Sequence, residues 1–599
     1  MTIRVSRLSK ELNIGFSTLE SILNVLGYKE DFFTPNTKIP DDIAIVVRWL
    51  CSDDIDLLKL VGIAADKGVY GYQTDTTQSQ KIAGRMDLND YNQSWKDAVT
   101  LKDNLIEPLT TSPLTYSEKQ DFWISELVLL SPKNEANGIK LGSFEKADKQ
   151  PLFSVLIGTN GAGKSMLMKE IVDFFIDLHT CAVGTGQRLP SANKGRLKGI
   201  RYHIDGVECE VIRLEKNYYA KIDGYFCSIK DLRLPSIVAC HFGAFDKLPV
   251  QTINGFLQTR YDVPCYKYVG AHVNGSMISS SAIVFRLLFA LNEQMDKRQR
   301  QNICSILDFI GYEHRISLSY TLVQKAKKDG VAREAIVQRV EKDREYNGLS
   351  KQEKSNVVNQ LYSYYKTKTT TGKTRFNYHI DFDGDYAAGG SLDELKCIYK
   401  LKQCDLVSST NVIFHKQSVN ITSEDMSSGE FAMLSTVLSI SAAANDPHTL
   451  VLLDEPELSL HPNWQMTLID NLDRALKNQV CHLLIATHSH MLVSDLPLKR
   501  SIVTQVEKDK NGNLNSTTIS ESTYGWSAEE VLFKVFKTAT DRNRYFGERI
   551  GKLLEQMGNN AISPKEVSGE LMELQEISMH LSDIDPMKTI LNTIVDAYK

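Results

Sequence analysis

Two rhythms of apolar and polar positions alternate along the 599 residues. Short runs at 152–157 (LFSVLI), 451–453 and 482–487 are almost wholly apolar and rich in strand formers, which predicts strands buried on both faces. Residues 166–178 and 431–443 instead space their apolar side chains three and four apart (Phe431, Leu434, Val437 and Leu438 in the second), which predicts helices. A further strong helix is predicted over 281–293, and 122–130 reads as the opening strand of the same unit. From 197 to 229, short runs alternate polar with apolar around Asp205-Gly206 and Asp223-Gly224, the residues that tight hairpin turns require. Asn274-Gly275 marks another turn. The expected fold is therefore α/β, a mixed sheet with an antiparallel β subdomain beside it.

The pattern changes at both ends and once in the middle. Residues 1–50 read as three short helices, over 5–13, from Ser17 onward with a capping box closed by Glu20, and over 36–49. They look separate from the rest, with 51–115 as a polar connecting region that includes a loop over 74–80. This opening resembles the small N-terminal domain of bacterial translation initiation factor 2, and also a generic helix-turn-helix. Partner docking, nucleic-acid contact and a structural cap are the roles open to it. No heptads run through 290–380, so a compact helical lobe is expected there rather than a long coiled-coil arm. Within 324–375, thirteen Lys or Arg stand against six Asp or Glu, and Tyr346, Tyr362, Tyr364 and Tyr365 are interleaved. Such a lobe can grip phosphates and stack bases, or be a solvated face over its own tyrosine core. The tail from 524 shows helical spacing over 526–536 and 567–581. Asp583 and Asp585 have nuclease-like spacing but run into Pro586, which fits a helix-ending turn better. The expected division is 1–50 (helical module), 51–115 (connection), 116–290 (N-lobe), 291–380 (basic helical insertion), 381–510 (C-lobe) and 511–599 (helical extension).

Composition narrows the class. Hydrophobic content of 42% is ordinary for a globular chain of two to four units. A net charge of −5 gives no whole-chain argument for nucleic acid. Ten cysteines without a C-x-x-C pair indicate neither zinc nor a redox centre and fit a reducing cytosol. No apolar run approaches the ~20 residues that span a bilayer, and the N-terminus has no signal-peptide core. A cytoplasmic protein with no membrane partner is expected.

The candidate chemistry sits where the apolar runs end. GTNGAGKS at 158–165 fits G-x-x-x-x-G-K-[ST] in the strand–loop–helix context that the motif requires. Gly158, Gly161 and Gly163 let the backbone fold tightly, so that N–H groups of the loop, with Asn160 and Met166 beside them, point at phosphate oxygens. Lys164 is expected to reach the β- and γ-phosphates of ATP, and Ser165 to ligate Mg²⁺. The run at 451–453 ends in Asp454, expected in the Mg²⁺ shell, and Glu455, expected to orient the attacking water. His488 ends the run at 482–487, where it can donate to a γ-phosphate. MSSGE at 426–430 places Ser428 and Gly429 at a helix N-terminus, a second anion site on one chain. In isolation it would be an ordinary N-cap. One nucleotide does not need two such sites, so the second is expected to serve the nucleotide of a partner subunit.

These four motifs resemble the ABC-type ATPases: Walker A, a degenerate signature motif, Walker B and the switch histidine. The stretch 454–462 (DEPELSLHP) is unlike the usual transporter sequence. It resembles the OLD-like and related anti-phage defence ATPases, among them ATPase subunits of Septu, retron and PARIS systems. Residues 235–249 look like a segment of the same group, but no Gln stands in its core where ABC proteins keep one that senses Mg²⁺. Gln251 is the nearest and carries no assignment. The resemblance implies an ABC-type P-loop head, ATP and Mg²⁺ as cofactors, self-association, and a separate effector such as an HNH nuclease or toxin, since no nuclease constellation is present. It leaves two alternatives: an SMC-like DNA repair or chromosome-maintenance ATPase, and a ribosome-associated ABC ATPase.

Overall fold

The computed structural model describes residues 2–66, 116–183, 195–251, 261–535 and 586–597, apart from short interruptions within those spans, together with 550–551, 572 and 575. Asn160, 242–246 and 324–328 fall in such interruptions.

A seven-stranded sheet forms the centre, in the order Tyr266–Tyr268, Ser236–His241, Thr449–Asp454, Cys481–Ala486, Leu152–Ile157, Ser501–Lys508 and Leu514–Ile519. All neighbours are parallel except the last pair, a hairpin. The three inner strands predicted from apolar runs are buried at every position. That is the signature of a sheet covered on both faces. Four helices, Ser280–Leu291, Lys297–Ile310, Ser428–Ala443 and Pro462–Ala475, cover one face. The helix Lys164–Val183 covers the other and is itself roofed by a six-stranded antiparallel sheet. Phe174 and Phe175 of that helix meet Tyr218 and Tyr202 of the roof edge-on. Each such buried side chain contributes about 1.5–3 kcal/mol. The predicted hairpins are present: Asp205, Gly206, Asp223 and Gly224 all have positive φ. His482 ties the two sheets together. Ile124 N–H donates to its Nδ1 at 3.2 Å, so the proton sits on Nε2 and is shared with Ser154 Oγ at 2.8 Å. Full burial pushes the His482 pKa down to about 3.

Three expectations need correction. The N-terminal module does not stand apart. Its strands Thr2–Arg4 and Lys38–Pro40 pair, and its helices share one core with Val128, Leu130, Ile212 and Leu214 of the antiparallel sheet. The reason is the helix Asp41–Leu50, buried at every residue from Ile43 to Leu50, which needs cover on all sides. The helix Leu57–Asp66, within the supposed connecting region, supplies part of that cover and packs so closely on the sheet that a Cβ at Gly199 would lie 2.9 Å from Leu57. Lys221 Nζ locks the join, donating to Trp49 O at 2.7 Å and lying 4.5 Å above the Trp49 ring.

Second, 291–380 is not purely helical. The helices Asp329–Lys342 and Lys351–Thr369 form an antiparallel pair carried on two strands, Arg315–Leu322 and Arg375–Asp381, of a five-stranded antiparallel sheet. These strands bury alternate residues (Ile316, Leu318 and Tyr320; Tyr378 and Ile380) against the main core. Tyr346 and Tyr365 are buried, and Tyr364 is tied to Tyr320 and Glu394, so the interleaved tyrosines hold the lobe together rather than offering rings to bases. Third, strand Leu514–Ile519 lies inside the segment expected as a helical extension, because it completes the hairpin at the sheet edge. Beyond it, Pro586 opens the helix Pro586–Ala597. Residues 67–115, 567–571, and Asp583 and Asp585 lie outside the described residues.

Candidate functional site

Parallel register sets the site. Asp454 pairs across the sheet with Ala486 and His241, and Ala486 with Leu156, so the motif-bearing loops leave one edge side by side. Ligands of α/β sheets bind outside this carboxyl edge.

The loop at 158–165 is shaped by its glycines. A Cβ at Gly158 would lie 2.2 Å from the Val506 carbonyl oxygen, and Gly161 and Gly163 have φ of +81° and +98°. Lys164 opens the following helix, almost fully buried, with Met166 exposed on its first turn. Lys164 Nζ donates to Gly158 O at 3.0 Å and to His488 Nε2 at 2.8 Å. An ammonium can only donate, so Nε2 accepts and the His488 proton sits on Nδ1. Burial lowers the Lys164 pKa, opposed by Glu455, Asp454 and Glu457. Burial and the Lys164 cation lower that of His488, opposed by Glu455. A neutral His488 accepting from a charged Lys164 is consistent with both directions.

Ser165 Oγ donates to Asp454 Oδ1 at 3.0 Å. Two hard oxygens so placed, one of them a buried carboxylate, fit the donor set of Mg²⁺. His241 stands behind Asp454, donating from Nδ1 to its carbonyl at 2.9 Å and lying 3.5 Å from Oδ2. Glu455 adopts the left-handed conformation (φ 50°, ψ 53°), which costs a non-glycine residue on the order of 1–2 kcal/mol. Its N–H bond to Ala486 O at 2.8 Å and the following Pro456 hold it there. That turn takes the Glu455 carboxylate off the strand axis to 3.8 Å from His488 Nε2.

The sequence motifs leave several residues of this site unmarked. Glu457 Oε1 accepts the His488 N–H at 2.7 Å, fixing the loop that presents the histidine. Burial raises the Glu457 pKa, while the His488 and Glu457 backbone N–H groups pull it back. Gln465 bridges the same loop to the turn before it, accepting from Ser489 Oγ at 2.7 Å and donating to Leu460 O at 3.0 Å. His461 and Pro462 of the 454–462 stretch act locally, His461 as the N-cap and Pro462 as the first residue of the helix Pro462–Ala475. Gln251 is committed elsewhere, with three hydrogen bonds to backbone groups of Tyr261, Tyr266 and Tyr268.

The 426–430 motif caps a different helix. Ser427 is its N-cap, accepting from Glu430 N–H at 3.2 Å, and Ser428 and Gly429 form the first turn of Ser428–Ala443. N–H groups of a first helical turn lack intrahelical acceptors and favour anions. Ser428 and Gly429 therefore stand on their own helix, which packs against Ser280–Leu291 and Pro462–Ala475, while Gly158, Gly161, Gly163, Lys164, Ser165, Asp454, Glu455 and His488 share one crevice.

Comparison with known proteins gives matches over part of the chain. Residues 405–495, which hold the 426–430 motif, Asp454, Glu455 and His488, match the family described as AAA domain, putative AbiEii toxin, Type IV TA system. A retron Ec83 probable ATPase of Escherichia coli is 24% identical over 243 residues, 38% of this chain. The chain spans 39% of that relative's length. Among solved structures, the SMC head domain from Thermotoga maritima is 10% identical, covering 66% of this chain and 99% of its own, with a TM-score of 0.28. A Smc head domain from Pyrococcus furiosus, solved with an extended coiled coil and the C-terminal domain of ScpA, is 13% identical over 67% of this chain and 96% of its own, with a TM-score of 0.29. At those scores the strand order and motif positions, not the likeness, define the fold. The strand order and the positions of the motifs give the chain the fold of an ABC-type P-loop head, and its residues 405–495 are similar to the AAA domain family.

Proposed function

We propose that the protein is an ATP-driven switch in which two copies close around nucleotide. Lys164 and the loop at 158–165 bind the phosphates of one copy's ATP, and Ser165 and Asp454 hold Mg²⁺, which neutralises charge on the phosphates. Glu455 orients and deprotonates the attacking water, and His488 reports the γ-phosphate to the loop that Glu457 anchors. Ser428 and Gly429 of the second copy close the nucleotide from the far side. The carrying observation is one of placement: the crevice where Ser165, Asp454, Lys164 and His488 meet and the Ser427-capped helix start, each suited to an anion, stand on separate elements of one chain. The retron ATPase likeness and the toxin-related family support a place in anti-phage defence, with this chain as the sensor that controls a separate nuclease or toxin. The basic lobe keeps a DNA-binding reading as its rival, now resting on exposed lysines such as Lys351 and Lys366 without the tyrosines.

Steady-state ATP turnover tests the assignment. Glu455→Gln lowers kcat by about 10²–10⁴-fold, the usual contribution of a positioned base, while ATP binding persists. Lys164→Ala loses both. Unchanged turnover in Glu455→Gln rejects the reading.

A further inference from the structure

Far from the phosphate loop in sequence, the lobe gathers metal-ligating groups of three kinds. Cys304 comes from the helix Lys297–Ile310, His314 from the turn before strand Arg315–Leu322, and Asp383 from just beyond strand Arg375–Asp381. One ligand atom of each lies within 4.8 Å of the other two. His314 Nδ1 is 2.5 Å from Asp383 Oδ1, so that nitrogen faces the cluster. Its other nitrogen, Nε2, is 2.9 Å from Asp308 Oδ1. Asp308 stands one helical turn after Cys304, so one helix face carries both.

The backbone holds this arrangement in place. Gly311, at φ +83°, ends the helix, and Gly311 N–H and Tyr312 N–H bond back to Asp308 O and Leu307 O. That turn carries His314 back beneath Asp308. Phe382 N–H then donates to His314 O at 2.9 Å, which fixes Asp383 beside the imidazole.

We propose that Cys304, His314 Nδ1 and Asp383 bind one zinc ion, with water as the fourth ligand and Asp308 orienting the histidine through Nε2–H. A thiolate, an imidazole and a carboxylate form a donor set that zinc takes up tetrahedrally. A carboxylate on the far nitrogen of a ligating histidine is the usual outer support of such sites. The rival reading is an imidazolium between two carboxylates, with the Cys304 thiol donating weakly to Phe382 O at 3.8 Å. A bound ion would staple the base of the lobe to the helix Lys297–Ile310, which packs against both Ser428–Ala443 and Pro462–Ala475. Metal would thereby stiffen the link between the lobe and the helix that carries Ser428.

Cobalt, which absorbs visibly when a thiolate ligates it, is the probe. The full chain, stripped with chelator and free of nucleotide, is titrated with Co²⁺. One equivalent should bind with a thiolate-to-cobalt band that Zn²⁺ abolishes. Cys304→Ser should remove the band, and Asp308→Asn should weaken binding about 10–100-fold, the usual effect of losing such outer support. Absence of the band in the unmodified chain overturns the proposal. So does a band that survives Cys304→Ser, or Co²⁺ uptake without any thiolate band, which would be oxygen ligation in the phosphate crevice. Circular dichroism of both variants separates loss of the site from loss of the fold.

Discussion

Glu457 offers a sharp test of how the crevice works, because its carboxylate makes one specific bond to the loop that presents His488. Glu457→Ala removes the acceptor of the His488 N–H, a 2.7 Å bond. Hydrogen bonds to charged groups contribute about 1.5–3 kcal/mol, and His488 is partly exposed, so water recovers some of that. A net loss of about 1–2 kcal/mol of holding energy lets the loop leave its working position and lowers kcat about 5–30-fold. KM for ATP should move little, because Lys164 and the 158–165 loop keep their own contacts. Glu457→Gln retains a carbonyl oxygen for the N–H and should recover most of the rate. Steady-state ATPase assays on the three proteins decide it. Turnover of Glu457→Ala at the unmodified rate, or Glu457→Gln as slow as Glu457→Ala, would refute the idea that this bond positions the histidine.

Other expectations follow from the same geometry. Gly158→Ala drives a Cβ to 2.2 Å from Val506 O, so equilibrium binding of a fluorescent ATP analogue should be lost while the fold, read by circular dichroism, persists. His482 is buried and neutral with its pKa lowered to about 3, so the unfolded chain binds an extra proton as pH falls below about 6.5. Urea midpoints should therefore fall between pH 7 and pH 5 by the equivalent of about 2 kcal/mol from this group. In His482→Gln that part of the fall should vanish. Lys221→Met loses a charge-assisted bond and a cation–π contact at Trp49, together about 2–3 kcal/mol. Limited proteolysis should then cut the chain near residues 51–66 sooner than in the unmodified protein.

Much of this crevice was legible in the chain because phosphate chemistry forces rare residue types into fixed spacings. The loop at 158–165 and the Asp454–Glu455 pair follow apolar runs that can only be buried strands, and both lie at strand ends as expected. What escaped notice arises across the sheet. Glu457 meets His488, and His241 meets Asp454, through the register of parallel strands, which no local pattern records. Cys304, His314 and Asp383 are brought together in the same way, by a helix turn and a strand pairing. The lobe is a different kind of miss. RISLSYTL and RFNYHID both alternate apolar and polar residues, so the strands were visible, but the charge of the surrounding helices dominates the composition there. The independence of residues 1–50 failed because the helix Asp41–Leu50 is buried at every residue from Ile43 to Leu50, Arg48 included. A helix buried on all sides needs neighbours, and here they include the antiparallel sheet.

The central claim is that one copy's Ser428 and Gly429 complete the nucleotide site of another. Light scattering of Glu455→Gln during size-exclusion chromatography tests it most directly. With Mg-ATP the mass should double, and the doubling should disappear when Ser428→Arg is added. A mass unchanged by saturating Mg-ATP, with ATP demonstrably bound, would contradict it.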